Sequence, residues 1–276
     1  MRPRNASIVW GLALVGLIAA SALLAPFIAP EPNRVDLASI LAPPSHAHWL
    51  GTDGLGRDVG ARLVHGARIA LFIGLTAGFL SLLIGLPIGA AAGYYGGRLD
   101  TAMSRLVEAA LCFPTLVVTI ALLSIGPRWL VVLPEAARIA VALGLIGWTP
   151  TARYLRAEFR RLGTSEAIVS ARAAGAGHMR IVTRHLLPQS LSPVLVSLAF
   201  GIGAAALAEA TLSFVGVGIS LPTPSWGELL HQAMHQVGHA WWLALFPGLA
   251  LFTLVLGCNE LAEGLRNWLD PRHRMV

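Results

Sequence analysis

The chain alternates between long apolar stretches and shorter polar ones. Six apolar stretches stand out, and they cover residues 8–29, 69–92, 101–125, 136–150, 190–214 and 241–261. Most are about 20 residues long, which is the length that a helix needs to cross the apolar core of a bilayer. Their apolar residues run on without alternating with polar ones, a pattern typical of helices and not of barrel strands. The sequence therefore predicts an all-α, polytopic membrane protein with about six transmembrane helices.

The polar segments between these stretches are too short to build a second soluble domain. We divide the chain into an N-terminal helix with its extracytoplasmic segment, residues 1–68, and the main transmembrane domain, residues 69–276. The first apolar stretch, 22 residues long, exceeds the core of a signal peptide, which has about 7–15 residues. We expect a retained helix, and a cleaved signal is the alternative.

Composition narrows the chemistry that the chain can perform. Hydrophobic residues make up 55% and charged residues only 12%, whereas a soluble domain carries about 25% charged residues. The 20 basic residues are all arginine. A Walker-type phosphate loop and a Schiff-base mechanism both need lysine. ATP chemistry must therefore lie on another polypeptide, and we expect neither a cofactor nor enzymatic activity here.

The arginines also indicate how the chain is oriented. With six spans, both termini lie on one side of the membrane. The segments on that side hold 14 arginines, at positions 2, 4, 98, 105, 153, 156, 160, 161, 172, 180, 184, 266, 272 and 274, and the other side holds 6, at positions 34, 57, 62, 68, 128 and 138. Because positive residues concentrate on the cytoplasmic side, we predict a plasma (inner) membrane protein with both termini in the cytoplasm. The bias accounts for the high pI without any nucleic-acid partner.

Residues 164–188 form a basic, amphipathic segment between the fourth and fifth stretches. Thr164 or Ser165 can cap a helix start, and Glu166 favours the positive end of that helix. Gly175 can end it in a left-handed conformation, and a second helix, from about residue 178, stops near Pro188. Two short helices with a glycine joint suit a docking surface. An ordinary amphipathic helix at the membrane surface is the alternative.

This segment resembles the EAA loop of permeases in binding-protein-dependent ABC importers. The matching residues are Ala171, Arg172, Ala173 and Gly175, followed by His185, Leu186, Leu187 and Pro188. Val169 and Ser170 stand where the family has Glu-Ala. The resemblance implies a coupling helix that docks on a cytoplasmic ATPase, with these residues and Glu166 and Arg180 as its site.

Further motifs resemble the C-type permease subunit of dipeptide and oligopeptide importers, including relatives that carry nickel. They occur in the expected order at 48–58, 66–68, 93–100, 209–214, 224–227, 241–248 and 264–272. The resemblance implies a second permease subunit as partner in a heterodimer, two cytoplasmic ATPase subunits, and a periplasmic or lipid-anchored substrate-binding protein that meets the outer surface near residues 215–240. The solute is left open among peptides, glutathione, metal chelates, opines and sugars.

Two carboxylates fall within apolar stretches. Charged groups inside a bilayer are costly and usually face a partner or a cavity. We expect Glu209 to have a structural or gating role, with direct substrate contact as the alternative. Glu108 lies three residues after Arg105 on one helix face, a spacing that predicts a local ion pair.

A metal site is a further hypothesis. His231, His235 and His239 are spaced four apart and would share a face of one continuous helix. Histidines of this kind also decorate polar surfaces without binding metal. Asp53 and Asp58 lack the spacing of a calcium loop, so we interpret their segment as a turn.

Two rival functions find less support. A secondary transporter would carry several ionisable residues in mid-span. An intramembrane enzyme would need a nucleophile with its base, or a metal motif, and no such set occurs in the sequence.

Overall fold

The computed structural model describes residues 6–29, 31–236 and 238–269. The predicted cytoplasmic arginines at positions 2, 4, 272 and 274, and the end of the last resemblance motif, lie outside the described residues. The described part is built from helices, and its one β-type pairing is an isolated bridge between Thr52 and Asp58. The all-α prediction is confirmed.

Four helices are long and apolar enough to cross a membrane within the described part of the chain. They are α1 (Ala6–Ile28), α2 (Val59–Tyr95), α11 (Leu191–Phe214) and α13 (Trp242–Leu269). The shorter helices in the same ranges are α3 (Gly97–Leu111), α4 (Thr115–Ile125), α5 (Arg128–Val131), α6 (Glu135–Ile146), α7 (Thr149–Gly163), α8 (Glu166–Ala173), α9 (His178–Ile181), α10 (Leu187–Gln189) and α12 (Trp226–Met234). A turn of 3-10 helix covers Leu37–Ser39.

The third predicted span is broken. Helices α3 and α4 together are apolar enough to cross, but they bend by 82° at residues 112–114. Pro114 takes the N-cap position of α4, and a proline there interrupts the helix because it lacks a backbone N–H and its ring clashes with the preceding turn. With this bent pair counted as one span, the described residues contain five candidates.

The fourth predicted span, at 136–150, is not one long apolar helix. Helix α6 has 12 residues and ends at Ile146, with Gly147 as its C-cap, and the amphipathic α7 follows. Pro134 caps α6 at its start and Pro150 lies in the first turn of α7, where a proline is tolerated. The prolines thus divide the segment into two helices.

Helix α2 is the central element and passes without a break through the predicted boundary at residue 68. Gly85, Gly89 and Gly93 repeat every fourth residue along its C-terminal half, so they share one face. That face lies directly against the backbone of α7, because a Cβ on Gly89 would be 2.4 Å from the carbonyl oxygen of Ala152. Spacing of small residues in this way lets helices approach closely in a membrane.

The other half of α2 packs against α6 and α11. Ile73 and Ala77 of α2, Ile139 and Leu143 of α6, and Leu212 of α11 form one buried cluster. The α6–α7 pair therefore runs parallel to α2. Helix α6 lies beside residues 73–81 of α2, and α7 lies beside residues 85–93.

The polar segment before α2 folds into turns that lie against the N-terminal end of this helix. Asp53 accepts hydrogen bonds from the backbone N–H groups of Leu55 and Arg57, and Asp58 caps α2 by accepting from Ala61. The predicted turn is confirmed.

In the same segment, hydrogen bonds from the Ser39 hydroxyl and the Ala38 N–H hold the pKa of the Asp36 carboxyl below its ordinary value.

Candidate functional site

Residues 164–189 form a series of short helices after α7, which we call the knob. Helix α8 ends at Ala173, Gly175 adopts φ +79°, and α9 begins at His178. The left-handed conformation at Gly175 satisfies the end of α8, since the Gly175 N–H donates to the Arg172 carbonyl. Two short helices with a glycine joint are therefore present as predicted.

The second half of the knob continues past Pro188. The chain passes from α9 into a wide π-type turn at Val182–Leu186 and then into α10, which contains Pro188. The wider turn accommodates a residue that cannot donate a backbone hydrogen bond. The prediction that the helix stops near Pro188 is right to within one residue, because α10 ends at Gln189.

The knob is anchored by apolar side chains. Ile168, Ile181 and Leu186 are fully buried, and they pack against a face of α7 that includes Leu155 and Phe159. Burial of each such side chain contributes about 1.5–3 kcal/mol. The anchor holds the knob against α7, the helix that leads directly into α8.

The predicted docking residues occupy the other side. Exposed among them are Glu166, Arg172, Ala173, Gly175, Arg180 and Pro188, while Ala171 and His185 are half-buried. Ser165 occupies the N-cap position of α8 but makes no side-chain capping hydrogen bond, so the predicted cap is formed by its backbone conformation alone. The exposed side of the knob presents small residues flanked by charges of both signs.

Glu209 lies in α11 and is 1% exposed. Its Oε1 accepts hydrogen bonds from the hydroxyls of Ser213, at 2.8 Å, and Ser225, at 2.7 Å. Those hydroxyls accept in turn from the N–H groups of Ile219 and Gly227. The carboxylate thereby joins the end of α11 to the loop after it and to the start of α12, a geometry that suits the expected structural or gating role.

Glu108 is arranged differently. Its side chain is 60% exposed and accepts from Arg105 at 2.7 Å, which is the predicted ion pair. A second carboxylate on α3, Asp100, is buried and accepts from Arg156 and Arg160 of α7. This triad fixes α3 to the helix that carries the knob.

The three histidines do not share one helix. His231 donates from Nδ1 to the Phe214 carbonyl at 2.7 Å, and its ring lies 5.6 Å from that of His235. Helix α12 ends at Met234, so His239 falls beyond it. Among the residues that the structure describes, no group of three His, Cys, Asp or Glu side chains converges as a metal site.

Two cavities follow α7 and α11. One, of about 310 Å³, lies between α2, α4, α6, α7 and α11 and is lined by apolar groups and by five residues that carry a hydroxyl, Ser81, Thr115, Thr151, Tyr154 and Ser197. The other, of about 550 Å³, has charged residues of both signs in its wall. Both are bordered by Tyr154 and Phe200, so the uncharged cavity and the charged one lie next to each other.

Residues 85–275 match the family described as the inner membrane component of binding-protein-dependent transport systems. The chain belongs to this family. It is an ABC importer permease, and similar curated proteins agree with this assignment. A Brucella abortus (strain 9-941) protein named for a peptide transport system is 39% identical over 274 residues, covering 99% of this chain and 90% of the relative. The dipeptide transport system permease protein DppC of Haemophilus influenzae is 36% identical, covering 98% and 92%.

The fold of the permease also matches a solved transporter. An inward-facing structure of the MetNI methionine ABC transporter superposes with a TM-score of 0.59 at 18% identity, covering 74% of the permease and 96% of the transporter chain. At this identity the likeness establishes the fold alone. The resemblance and the permease fold predicted from sequence are confirmed, and the permease is a multi-pass membrane protein.

Sequence reasoning missed a cluster of charges at the N-terminal end of α2. Arg62 is fully buried and donates to Glu228 at 2.7 Å and to Asn33 at 3.0 Å, and it lies 3.6 Å from Asp53. Arg57 donates to the same aspartate at 2.7 Å. The sequence offers no local signal for the pairing of Arg62 with Glu228, because the two are 166 residues apart.

Proposed function

We propose that this permease is one of two related membrane subunits of an importer for peptides or similar small solutes. The peptide assignment rests on the named relatives, which cover nearly the whole chain at 33–39% identity. Two ATPase subunits on separate chains would supply the energy, since the chain has no lysine for a Walker-type loop.

The observation that carries the proposal is the knob. It is anchored to α7 by buried apolar residues and presents small residues outward, a shape that fits the groove of a partner protein. Closure of the ATPases on ATP would displace the knobs of both permeases, and rigid helices would carry that movement to the solute path.

The solute path would follow the cavities along α7 and α11. The smaller cavity is lined by hydroxyls and no charged side chain, and the cavity beside it is lined by charged side chains of both signs. Such a lining suits a zwitterionic solute whose side chains make few specific contacts. A binding protein on the outer surface, near residues 215–240, would deliver the solute and select it.

The arginine bias and the helix directions support one orientation in the membrane. We propose that α2 and the α6–α7 pair both run toward the cytoplasm. The knob and both termini then lie in the cytoplasm. In this arrangement the bent α3–α4 pair is the third crossing of the membrane and the α6–α7 pair is the fourth.

The test is purification of the tagged permease in mild detergent, with mass spectrometry of the chains and small molecules that remain bound. We expect a second permease and an ATPase subunit, and a retained peptide would identify the solute class. Recovery of the permease alone, folded and monodisperse, would contradict the proposal and favour a stand-alone transporter.

A pair of substitutions makes this test specific to the knob. Gly175 and Gly97 both have positive φ, +79° and +56°, and a Cβ added to either would meet no other atom within 4 Å. Gly175→Asp is expected to lower ATPase recovery by at least about tenfold, because it places a charge in a docked surface. Gly97→Asp carries the same charge and backbone strain outside the knob and is expected to leave recovery unchanged. Equal recovery with both variants would exclude the knob as the docking surface.

A further inference from the structure

The C-terminal end of α2 touches the knob through two tyrosine rings: the ring of Tyr95 lies 6.3 Å from that of His178, and Tyr94 makes the hydrogen-bonded contact. Tyr94 lies in the last turn of α2, and its hydroxyl is 2.8 Å from Nδ1 of His178, the first residue of α9. The guanidinium of Arg172, in the last turn of α8, lies 5.6 Å from the centre of the same ring. One tyrosine thus contacts both helices of the knob, on either side of the Gly175 joint.

The chemistry of tyrosine suits a contact of this kind. The ring is rigid and attracts a cation to its face. Its hydroxyl both donates and accepts, so it can bond to either tautomer of His178. The two rings meet edge to face with their centres 5.7 Å apart, a favourable aromatic geometry. Tyr94 therefore fixes the knob in both position and angle.

Behind Tyr94, α2 is held firmly to α7. Gly93 is its neighbour in sequence, and a Cβ there would lie 2.6 Å from the Phe159 side chain. At the opposite end of α2, Arg62 pairs with Glu228 of α12 and the Trp226 ring N–H donates to the Leu63 carbonyl. A single helix therefore contacts the knob at one end and α12 at the other.

We infer that Tyr94 is a positioning residue that holds α8 and α9 in one orientation on α2 and makes α2 follow when the knob is displaced. The inference rests on the proposed docking of an ATPase to the knob. It adds a second route for the movement, through α2, beside the direct connection of the knob to α7.

A stabilising contact and a transmitting contact predict different results. A contact that only stabilises the fold would change the thermal stability or the amount of assembled importer. A transmitting contact changes how far α2 follows the knob and how much solute is moved for each ATP hydrolysed, with assembly unchanged.

The experiment uses the complete importer, copurified with its partner chains and placed in lipid. Tyr94→Phe removes the hydroxyl and keeps the ring over which Arg172 lies. Tyr95→Phe is the matched control, because Tyr95 is exposed and its hydroxyl has no hydrogen bond in the described part of the chain. The transport readout is radiolabelled dialanine imported per ATP hydrolysed. We expect a fall of about threefold with Tyr94→Phe, in keeping with the loss of one hydrogen bond, and no change with Tyr95→Phe.

A second readout does not depend on the solute. Spin labels are attached to cysteines introduced by Met179→Cys on the knob and Leu83→Cys on α2, in a Cys112→Ser background. Both positions are exposed. With intact Tyr94, the distance between the labels should stay the same before and after addition of ATP with vanadate. With Tyr94→Phe, vanadate trapping should add a second population of label distances that is absent with intact Tyr94 and with Tyr95→Phe.

The outcomes separate the two proposals. If the unmodified permease retains no ATPase, the proposed function fails and the role of Tyr94 fails with it. If it retains ATPase but imports no dialanine, the peptide assignment fails and the label distances decide the role of Tyr94. If Tyr94→Phe matches Tyr95→Phe in both readouts, or lowers only the amount of assembled importer, the role of Tyr94 is overturned and the proposed function stands.

Discussion

At the scale of single residues, the end of the permease opposite the knob depends on charges that are buried in pairs. Arg62 is completely enclosed, and its partners come from the N-terminal segment, from the turn before α2 and from α12. A buried pair is held because each charge would be costly alone. The cluster therefore fixes where three distant parts of the chain meet.

Arg62→Ala should be strongly destabilising. It leaves Glu228 without its cation and removes one of the two cations beside Asp53, and such losses cost about 3–5 kcal/mol. Arg105→Ala is the control, because the Arg105–Glu108 pair is largely exposed and worth less than about 1 kcal/mol. Thermal unfolding in detergent measures both, and equal shifts of the midpoint would show that the buried cluster contributes no more than a surface pair.

Glu209 offers a test of hydrogen bonding against charge. Glu209→Ala removes the acceptor for Ser213 and Ser225 and is expected to lower stability by about 1–2 kcal/mol. Glu209→Gln keeps an acceptor oxygen and should cost less than half as much. The midpoint of thermal unfolding for the two variants gives the comparison; equal losses would mean that the negative charge, and not the acceptor, is what the site requires.

The residues that sequence reasoning identified are those with a local signal. Gly175 marks a helix end and Glu108 pairs with a neighbour on the same helix, so both arrangements follow from short-range rules. The partners of Glu209, Asp100 and Arg62 lie between 4 and 166 positions away. No periodic pattern encodes contacts over the longer separations, because they depend on how the helices pack.

At the scale of elements, the contact between α2 and α7 is set by glycine. The chain of α7 lies so close to Gly85, Gly89 and Gly93 that a methyl group at any of them meets atoms nearer than van der Waals distance. The two helices are therefore packed tightly along residues 85–93 of α2, and α7 leads from this contact into the knob.

Gly89→Ala should force α2 and α7 apart. Its Cβ would meet the backbone of Ala152 at 2.4 Å, and overpacking of this kind costs about 1–3 kcal/mol. Gly16→Ala, in α1, is the control, since a Cβ there has nothing within 4 Å and alanine favours the helix by up to about 1 kcal/mol. Unfolding midpoints that fall equally for both variants would contradict a close α2–α7 contact.

Elements were predicted well where one long apolar run makes one helix, as in α1, α11 and α13. The third and fourth spans were predicted as single helices, and that was wrong for a physical reason: Pro114, Pro134 and Pro150 cap or start helices and divide the runs. Hydropathy averages over such breaks, so it marks an apolar segment without showing its bends.

At the scale of the whole molecule, the proposed orientation can be measured directly. In a Cys112→Ser background, Ala47→Cys lies in the exposed segment before α2 and Ala174→Cys on the exposed side of the knob. A thiol reagent that cannot cross membranes should label position 47 in intact cells and position 174 only after permeabilisation. The reverse pattern would place the knob and both termini outside the cell.

Helix α2 imposes a strict register on the chain. It spans 37 residues, about 55 Å at 1.5 Å per residue. Side-chain contacts hold it at both ends, through Arg62 at the N-terminal end and Tyr94 at the C-terminal end. Arg62 and Tyr94 are 32 positions apart, which at about 100° per residue places them within about 40° of one side of the cylinder. One residue added to or removed from the middle of the helix would rotate the contact at one end by about 100° relative to the contact at the other end. The length of this helix is therefore fixed by the angle between these two contacts around the helix axis as much as by the thickness of the membrane. Homologues that keep both contacts should differ here by substitution and not by single insertions.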